Sequence, residues 1–541
     1  MMTTTIAFAA VADTASPDNN DIAKALLAPD ITIGDYSLNR DDLAKFYTAR
    51  DFRPAWSFVN QDNLDAFTNF LTSLDQLITW HGLQRDDYPI DLMQQLIKQT
   101  DDPSKLKLEL LVTDSLVRLA HDLHGDGIDL NTIYPGWSFH RSDLDIPTEL
   151  STAVASNRIN EFMESISPQY DDYDDLAVAL SHYRDLQSKG GWAKIDPGPT
   201  LKPNDKGPRI SQLRARLAIE DYVPSVAPAE NGDLFDSDLH KALQEYQMRN
   251  GLEPDGNLGG KTLEALNIPV TTRIDQISAN MERWRHTPDE LPDRYAMVNI
   301  ADASIDVIEN ENLIYTSAVI VGRVDRKTPF IQSIIRSMIV NPSWHVPAKI
   351  AQKDILPKLR RDPHYLEKLG FTISDSEDDP HGDNIDWASM PDREFNFHLR
   401  QSPGDMNSLG RLKFDFDNDF SVYLHGTPHK ELFKKFERTL SSGCVRLQSP
   451  QTFAEVVLSS NEGNWNVKHI EDEIAKNKTH WVAVAKPLPL YILYWTVFMD
   501  EDGQINFRRD VYDYDRFLIE NLQGQDTDKP SSDSTKDILS H

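Results

Sequence analysis

Cysteine is almost absent: Cys444 stands alone in 541 residues. An intramolecular disulfide is therefore excluded whatever the compartment. A solitary thiol is by default a small buried hydrophobe, and only its neighbours can give it chemistry. In an exported chain it would also have no partner to mispair with. Cationic side chains are scarce too, with 55 Lys and Arg against 86 Asp and Glu and a net charge of −31. That balance argues against a nucleic-acid partner and against docking on an anionic membrane surface. The acids read as solvated faces. Long apolar runs are missing. Leu488–Met499 is interrupted by Pro489, is too short to span a bilayer and reads as buried strands, so no integral membrane segment is expected. At the N-terminus, residues 6–12 (IAFAAVA) end like a signal peptide, although no Lys or Arg precedes Lys24. Zincin, P-loop, dinucleotide and G-x-S-x-G motifs are absent, as is any cysteine cluster, and neither a metal nor a cofactor is expected.

A chain of this length calls for roughly three or four domains. The expected class is multidomain α+β. Residues 1–20 read as disordered or as a signal remnant, and 521–541 as a polar disordered tail. Residues 21–190 read as a mainly helical scaffold. Within it, Leu108, Leu111, Val112, Leu116, Leu119 and Leu123 form a helical stripe that stops at the Gly125–Gly127 turn. Asp174 or Asp175 is the expected cap of a helix running to about Leu186. Residues 188–207, rich in Gly, Pro and Lys, read as a linker. A small three-helix unit follows at 205–268, marked by Leu213 and Leu217, then Leu239, Leu243 and Tyr246. From 290 to 520 the alternation is that of strands, with a hairpin turn at Glu309–Asn312. An insertion at about 350–405, with a helix over Ala348–Leu356 and a break or kink at Pro357 just after it, is a candidate lid.

The chemistry concentrates in Phe420–Leu447. A strand over Phe420–His425 would turn Phe420, Val422 and Leu424 to the core and Tyr423 and His425 to the opposite face. Cys444 follows Ser441-Ser442-Gly443, where glycine permits a tight turn and close approach of a carbonyl. Free backbone N–H groups at such a turn can hold an oxyanion. Ser449-Pro450 reads as the start of a helix. A free thiol is mostly protonated at neutral pH, so a neighbouring imidazole is needed to take its proton and return it to a leaving amine. Arg446 adds a planar cation suited to carboxylates. Cys, His and Arg together suggest acyl transfer on a peptide bearing free carboxylates.

The set His425-Gly426-Thr427 … Ser441-Ser442-Gly443-Cys444-Val445-Arg446-Leu447 resembles the signature of the L,D-transpeptidase (YkuD) catalytic domain. Val321-Gly322-Arg323, Arg326-Lys327-Thr328-Pro329, Asn341 to Pro347, Gly404, Asn407 to Gly410 and Lys413-Phe414 match in order. Residues 205–268 resemble a peptidoglycan-binding domain, and 21–190 resemble the N-terminal scaffold of large periplasmic members of that family. The resemblance implies a β-sandwich-like catalytic domain with Cys444 as nucleophile, His425 as base and Gly443 at the oxyanion site. Arg446, Tyr423, Trp344, Ser442 and Asn407 would meet the substrate. It further implies peptidoglycan stem peptides and glycan strands as partners, a thioester intermediate, 3→3 crosslinks, a periplasmic location and capture by carbapenems. The alternatives are an L,D-carboxypeptidase or hydrolase on the same stems, and a non-catalytic wall-binding protein.

Overall fold

Alternating apolar residues from Arg294 onward build β1 (Arg294–Asn299), β2 (Ser304–Glu309) and β3 (Asn312–Gly322). The β2–β3 hairpin turns at Asn310 and Glu311, with φ of 51° and 65°. This is the two-residue turn whose twist matches paired strands, easy for Asn and costly for Glu. β4 (Ile331–Val340), β5 (Leu412–Asp415), β6 (Leu424–His425), β7 (Val445–Leu447) and β8 (His480–Leu493) follow. Their order is β1-β2-β3-β7-β6-β5-β4-β8, and β8 pairs back onto β1. The β6–β7 and β8–β1 pairs are parallel. The expected sandwich is thus a sheet closed on itself, which leaves these strands no long free edge. Val298, Val307, Val321, Met338, Phe414, Leu424 and Val445 are buried in its interior. Each such side chain contributes about 1.5–3 kcal/mol.

The computed structural model describes residues 19–524 apart from 57–60, 100, 135, 138, 140, 221, 223–231, 375 and 377. The expected signal remnant and polar tail lie outside the described residues, except that Asn19 opens the helix Asn19–Ala25 and Leu522 closes Tyr514–Leu522.

Between β4 and β5 the insertion is a small body rather than a loop. Three short strands, Trp344–His345, Leu399–Gln401 and Phe371–Ile373, pair in that order. Leu356, Phe371, Trp387 and Leu399 belong to a core of its own. Pro357 does not end the helical segment. Turns Ala348–Ile350, Ala351–Ile355 and Leu356–Leu359 run on, with Pro357 in the first turn of the last. The middle turn is widened to a π turn, which makes room for a proline ring that would otherwise meet the preceding carbonyl.

In the scaffold, helix Asp102–His124 starts where Asp101 Oδ1 accepts from the Ser104 N–H at 3.0 Å, and ends at Gly125 with φ 87°. Leu111, Leu116, Leu119 and Leu123 are buried, as their spacing requires. The later helix begins at Asp171 rather than at Asp174 or Asp175, with Tyr170 as its cap residue and no side-chain cap. Three aspartates fall in its first turn, where the helix dipole favours them.

The segment expected to be a free linker is a strap. Ile195 is buried, its N–H and C=O both bonded to the Asn267 amide. Trp192 stacks beneath Arg216 at 3.8 Å. The strap lies on helices Pro208–Ile219, Ser237–Arg249 and Gly260–Leu266, whose core holds Leu213, Leu217, Leu239, Leu243 and Tyr246. Helix Val270–Arg285 joins scaffold to barrel: Arg283 meets Asp515 at 2.5 Å and the Tyr134 hydroxyl at 2.9 Å, and Thr496 donates to Asp515 at 2.6 Å. Among the described residues no helix is long and apolar enough to cross a membrane.

Candidate active site

β5, β6 and β7 lie side by side, with Leu424 opposite Val445 and His425 opposite both Arg446 and Lys413. Leu412, Phe414, Leu424, Val445 and Leu447 are buried in the barrel. Alternation sends Lys413, Tyr423, His425, Cys444 and Arg446 to the other face. The strand carrying His425 is shorter than its sequence suggests. Asn418 Oδ1 accepts from the Phe420 and Val422 N–H groups, and Ser421 has φ 54°, so the chain before Tyr423 is a turn. Even so, Val422 is buried, Phe420 packs against the core and Tyr423 shares the face of His425, with ring centroids 5.6 Å apart.

Cys444 is half-buried. Its sulfur lies 3.9 Å from the Ser421 carbonyl, and the Tyr423 backbone N–H and hydroxyl both face it. His425 is buried, and its Nδ1 meets the Gly426 carbonyl at 2.5 Å with the Leu409 carbonyl also in reach. No hydrogen bond joins the thiol to the imidazole among the described residues. The two sit on adjacent strands and one face, with Tyr423 at the sulfur.

The nucleophile turn is braced from several sides. Gly443 has φ 118°, a conformation closed to other residues, although a Cβ there would be 3.7 Å from its nearest neighbour, the Lys327 carbonyl. Its carbonyl accepts from Thr328 Oγ1 at 2.8 Å, and the same hydroxyl accepts from the Gly322 N–H at 2.8 Å. Tyr512 bonds to both Thr328 N–H and the Gly322 carbonyl. The Gly443 N–H is not free, as its place in the turn suggests, but donates to Ser441 Oγ at 3.1 Å, while Ser441 donates to the Cys444 carbonyl at 2.6 Å. Ser449 precedes helix Pro450–Val457, yet its side chain caps nothing.

Electrostatics set the resting protonation. Burial pushes the Cys444 thiol up, opposed by the Tyr423 N–H and the charges of Arg446 and Lys413. Burial first, then Arg446 and Lys413, pulls His425 down to about 3. The resting pair is a neutral thiol and a neutral imidazole. Arg446 is largely buried, its Nε lacks an acceptor, and it has no acidic partner among the described residues.

The remaining expected residues divide. Ser442 Oγ accepts from Arg326 Nη1 at 3.0 Å. Trp344 brings its indole N–H towards the Tyr423 hydroxyl without a well-formed hydrogen bond. Asn407 corrects the sequence reading: it is 1% exposed, donates to the Pro342 and Ser402 carbonyls and accepts from the Leu409 N–H. Its polar groups are consumed in holding the stem of the insertion. Sequence reasoning gave no role to Lys413, which lies 4.3 Å over the Tyr423 ring, although its place between buried Leu412 and Phe414 marks the outward face. Thr328, Ser441 and Tyr512 were missed as well; the first two stand in quoted motifs, and the last carries no local signal.

Residues 293–468 match the family model described as "L,D-transpeptidase catalytic domain" (YkuD). Residues 206–266 match a "Putative peptidoglycan binding domain", and 41–180 a "Scaffold domain". A curated protein of Haemophilus influenzae named "Putative L,D-transpeptidase" is 32% identical over 315 residues. That match takes in 57% of this chain and 60% of the relative, so the chain spans less than two thirds of that protein's length. A crystal structure of an L,D-transpeptidase from Xylanimonas cellulosilytica aligns with 55% of this chain and 99% of its own at 12% identity. Its TM-score is 0.18, too low to carry an argument.

Proposed function

We propose that this chain, whose residues 293–468 match the L,D-transpeptidase catalytic domain, forms 3→3 peptidoglycan crosslinks in the periplasm through a thioester on Cys444. The observation that carries this reading is the single barrel face shared by Tyr423, His425, Cys444 and Arg446. Lys413 and Arg446 are cations, and burial next to the sulfur holds the Tyr423 hydroxyl well above its ordinary pKa. His425 is left as the group on that face with a lone pair to accept a proton near neutral pH.

The thiol gives its proton to His425 as sulfur attacks the carbonyl at the L-centre of diaminopimelate in a tetrapeptide stem. The Cys444 N–H faces the developing oxyanion in this reading, since the Gly443 N–H is already engaged. The C–N bond breaks, the imidazolium returns the proton to the departing D-Ala amine, and an acyl-thioester remains. The amine of a second diaminopimelate then attacks, His425 takes its proton, and sulfur leaves and is reprotonated. No cofactor is required, because the thioester conserves the energy of the broken amide. Arg446, still without an acid partner, suits a carboxylate of the stem. The helical unit at 206–266 would hold the glycan strands or stems.

The test is intact mass and product analysis after incubation with tetrapeptide muropeptides, and separately with a carbapenem. A single adduct on Cys444, absent from Cys444→Ala and slowed about 10²- to 10⁴-fold in His425→Ala, is expected, together with crosslinked dimers. Tripeptides without dimers would assign hydrolysis instead. An adduct on the alanine variant would remove Cys444 from its role.

A further inference from the structure

The insertion touches the rim of this site through one charged side chain. Asp354 lies on the π turn Ala351–Ile355, and its carboxylate is held by both Nη atoms of Arg326, one at 3.0 Å, and by Arg323 Nη2 at 3.5 Å. Arg326 also donates to Ser442 Oγ, two residues before Cys444. Arg323 follows the end of β3, its N–H bonded to the Ser441 carbonyl, and it lies close enough to Arg446 to oppose its charge. Three guanidinium groups therefore converge beside the nucleophile. Asp354 is the carboxylate that two of them share, with Asp325 at the outer side of Arg323.

With a net charge of −31, acids are abundant, yet Arg446 pairs with none among the described residues. A planar guanidinium fork matched two-to-two by a carboxylate is the geometry in which arginine recognises a carboxylate ligand. The carboxylate here belongs to the insertion and not to the barrel, and the side chains of Arg326, Asp354 and Arg323 are 12%, 27% and 35% exposed, so the pair borders solvent rather than the core. The π turn that carries Asp354 is the kind of irregularity found frequently at functional sites.

We propose that Arg323 and Arg326 form a carboxylate-binding subsite beside Cys444, and that Asp354 occupies it in the resting chain as an internal competitor for a carboxylate of the incoming donor. Donor binding exchanges one carboxylate for another and releases this edge of the insertion. The identity of the ligand as a stem peptide rests on the function proposed above; the subsite itself does not.

Cys444 is the sole thiol, so alkylation reads the site directly in the full-length chain. In each reaction the thiolate displaces iodide and forms an S–CH2 bond. Iodoacetate carries a carboxylate and iodoacetamide does not, and the ratio of their rates reports anion binding while the neutral reagent controls for access. Asp354→Asn is expected to raise that ratio about three- to fivefold, Asp354→Glu to leave it at the parent value, and Arg326→Gln to lower it below the parent. An unchanged ratio in both Asp354→Asn and Arg326→Gln would overturn the subsite, as would equal acceleration by both reagents, which would make Asp354 a gate only. With tetrapeptide donor, Asp354→Asn should lower KM. A raised ratio without that fall would keep the subsite and reject the stem carboxylate as its ligand.

Discussion

At Cys444 the environment works against ionisation: burial raises the thiol, and the cations and the Tyr423 N–H only partly offset it. His425 is pulled down to about 3 by burial and by Arg446, so no imidazolium stands ready to hold a thiolate. A raised thiol pKa keeps the protonated form dominant to higher pH, and a lowered imidazole pKa keeps the ring neutral throughout the neutral range. The rate of iodoacetamide capture in the absence of substrate should therefore climb with pH, with a midpoint above the ordinary thiol range. A midpoint below pH 7 would instead reveal a preformed thiolate–imidazolium pair. The sequence made part of this visible. Buried Val422 and Leu424 fix the face of Tyr423 and His425 by alternation alone. It could not show that Tyr423, rather than His425, sits at the sulfur, because side-chain rotation is set by the surrounding carbonyls of Gly426 and Leu409. Nor could it separate Asn407 from a substrate contact, since an amide that holds a loop and an amide that holds a ligand look alike in one dimension.

Among the elements, the turn that presents Cys444 depends on parts far apart in the chain. Gly443 needs its positive φ, and the sequence shows that need directly. The brace is less legible: Thr328 comes from the loop after β3, and Tyr512 from the segment before helix Tyr514–Leu522. One hydroxyl satisfies both a buried carbonyl and a buried amide. Thr328→Val keeps the shape but strands the Gly443 carbonyl and the Gly322 N–H. The expected loss is about 1–3 kcal/mol in thermal or denaturant unfolding, with slower acylation of Cys444 at unchanged iodoacetamide midpoint. Parent-like stability and acylation together would show that the turn stands without this brace. The same limit explains the insertion. Pro357 reads locally as a break or kink, but a π turn before it lets the helix continue under the core formed by Leu356, Phe371 and Trp387.

Across the whole molecule, the order of scaffold, small helical unit and barrel follows from periodicity, because each has its own apolar pattern, although part of the scaffold within residues 130–183 shares the barrel's core. How they are joined does not follow, since one apolar cluster takes in Tyr134, Trp137, Leu176 and Leu180 of the scaffold together with the barrel, and a polar network is buried within it. Arg283 is fully buried against Asp515, whose side chain is 6% exposed, and Tyr134, Thr496 and Asn280 complete the set from scaffold, barrel and connecting helix. Two charges out of water hold only while both are present; removing one leaves the other unpaired in low dielectric. Arg283→Met should therefore lower the unfolding temperature by an amount equivalent to about 3–5 kcal/mol, while Arg283→Met with Asp515→Leu should recover much of that loss. Scanning calorimetry of the two variants beside the parent checks this. A double variant no more stable than the single one would mean that the network's hydrogen bonds to Tyr134 and Thr496, rather than the charge pair, carry the joint. A single variant as stable as the parent would mean that apolar packing of helix Val270–Arg285 on the barrel is enough to hold the scaffold in place.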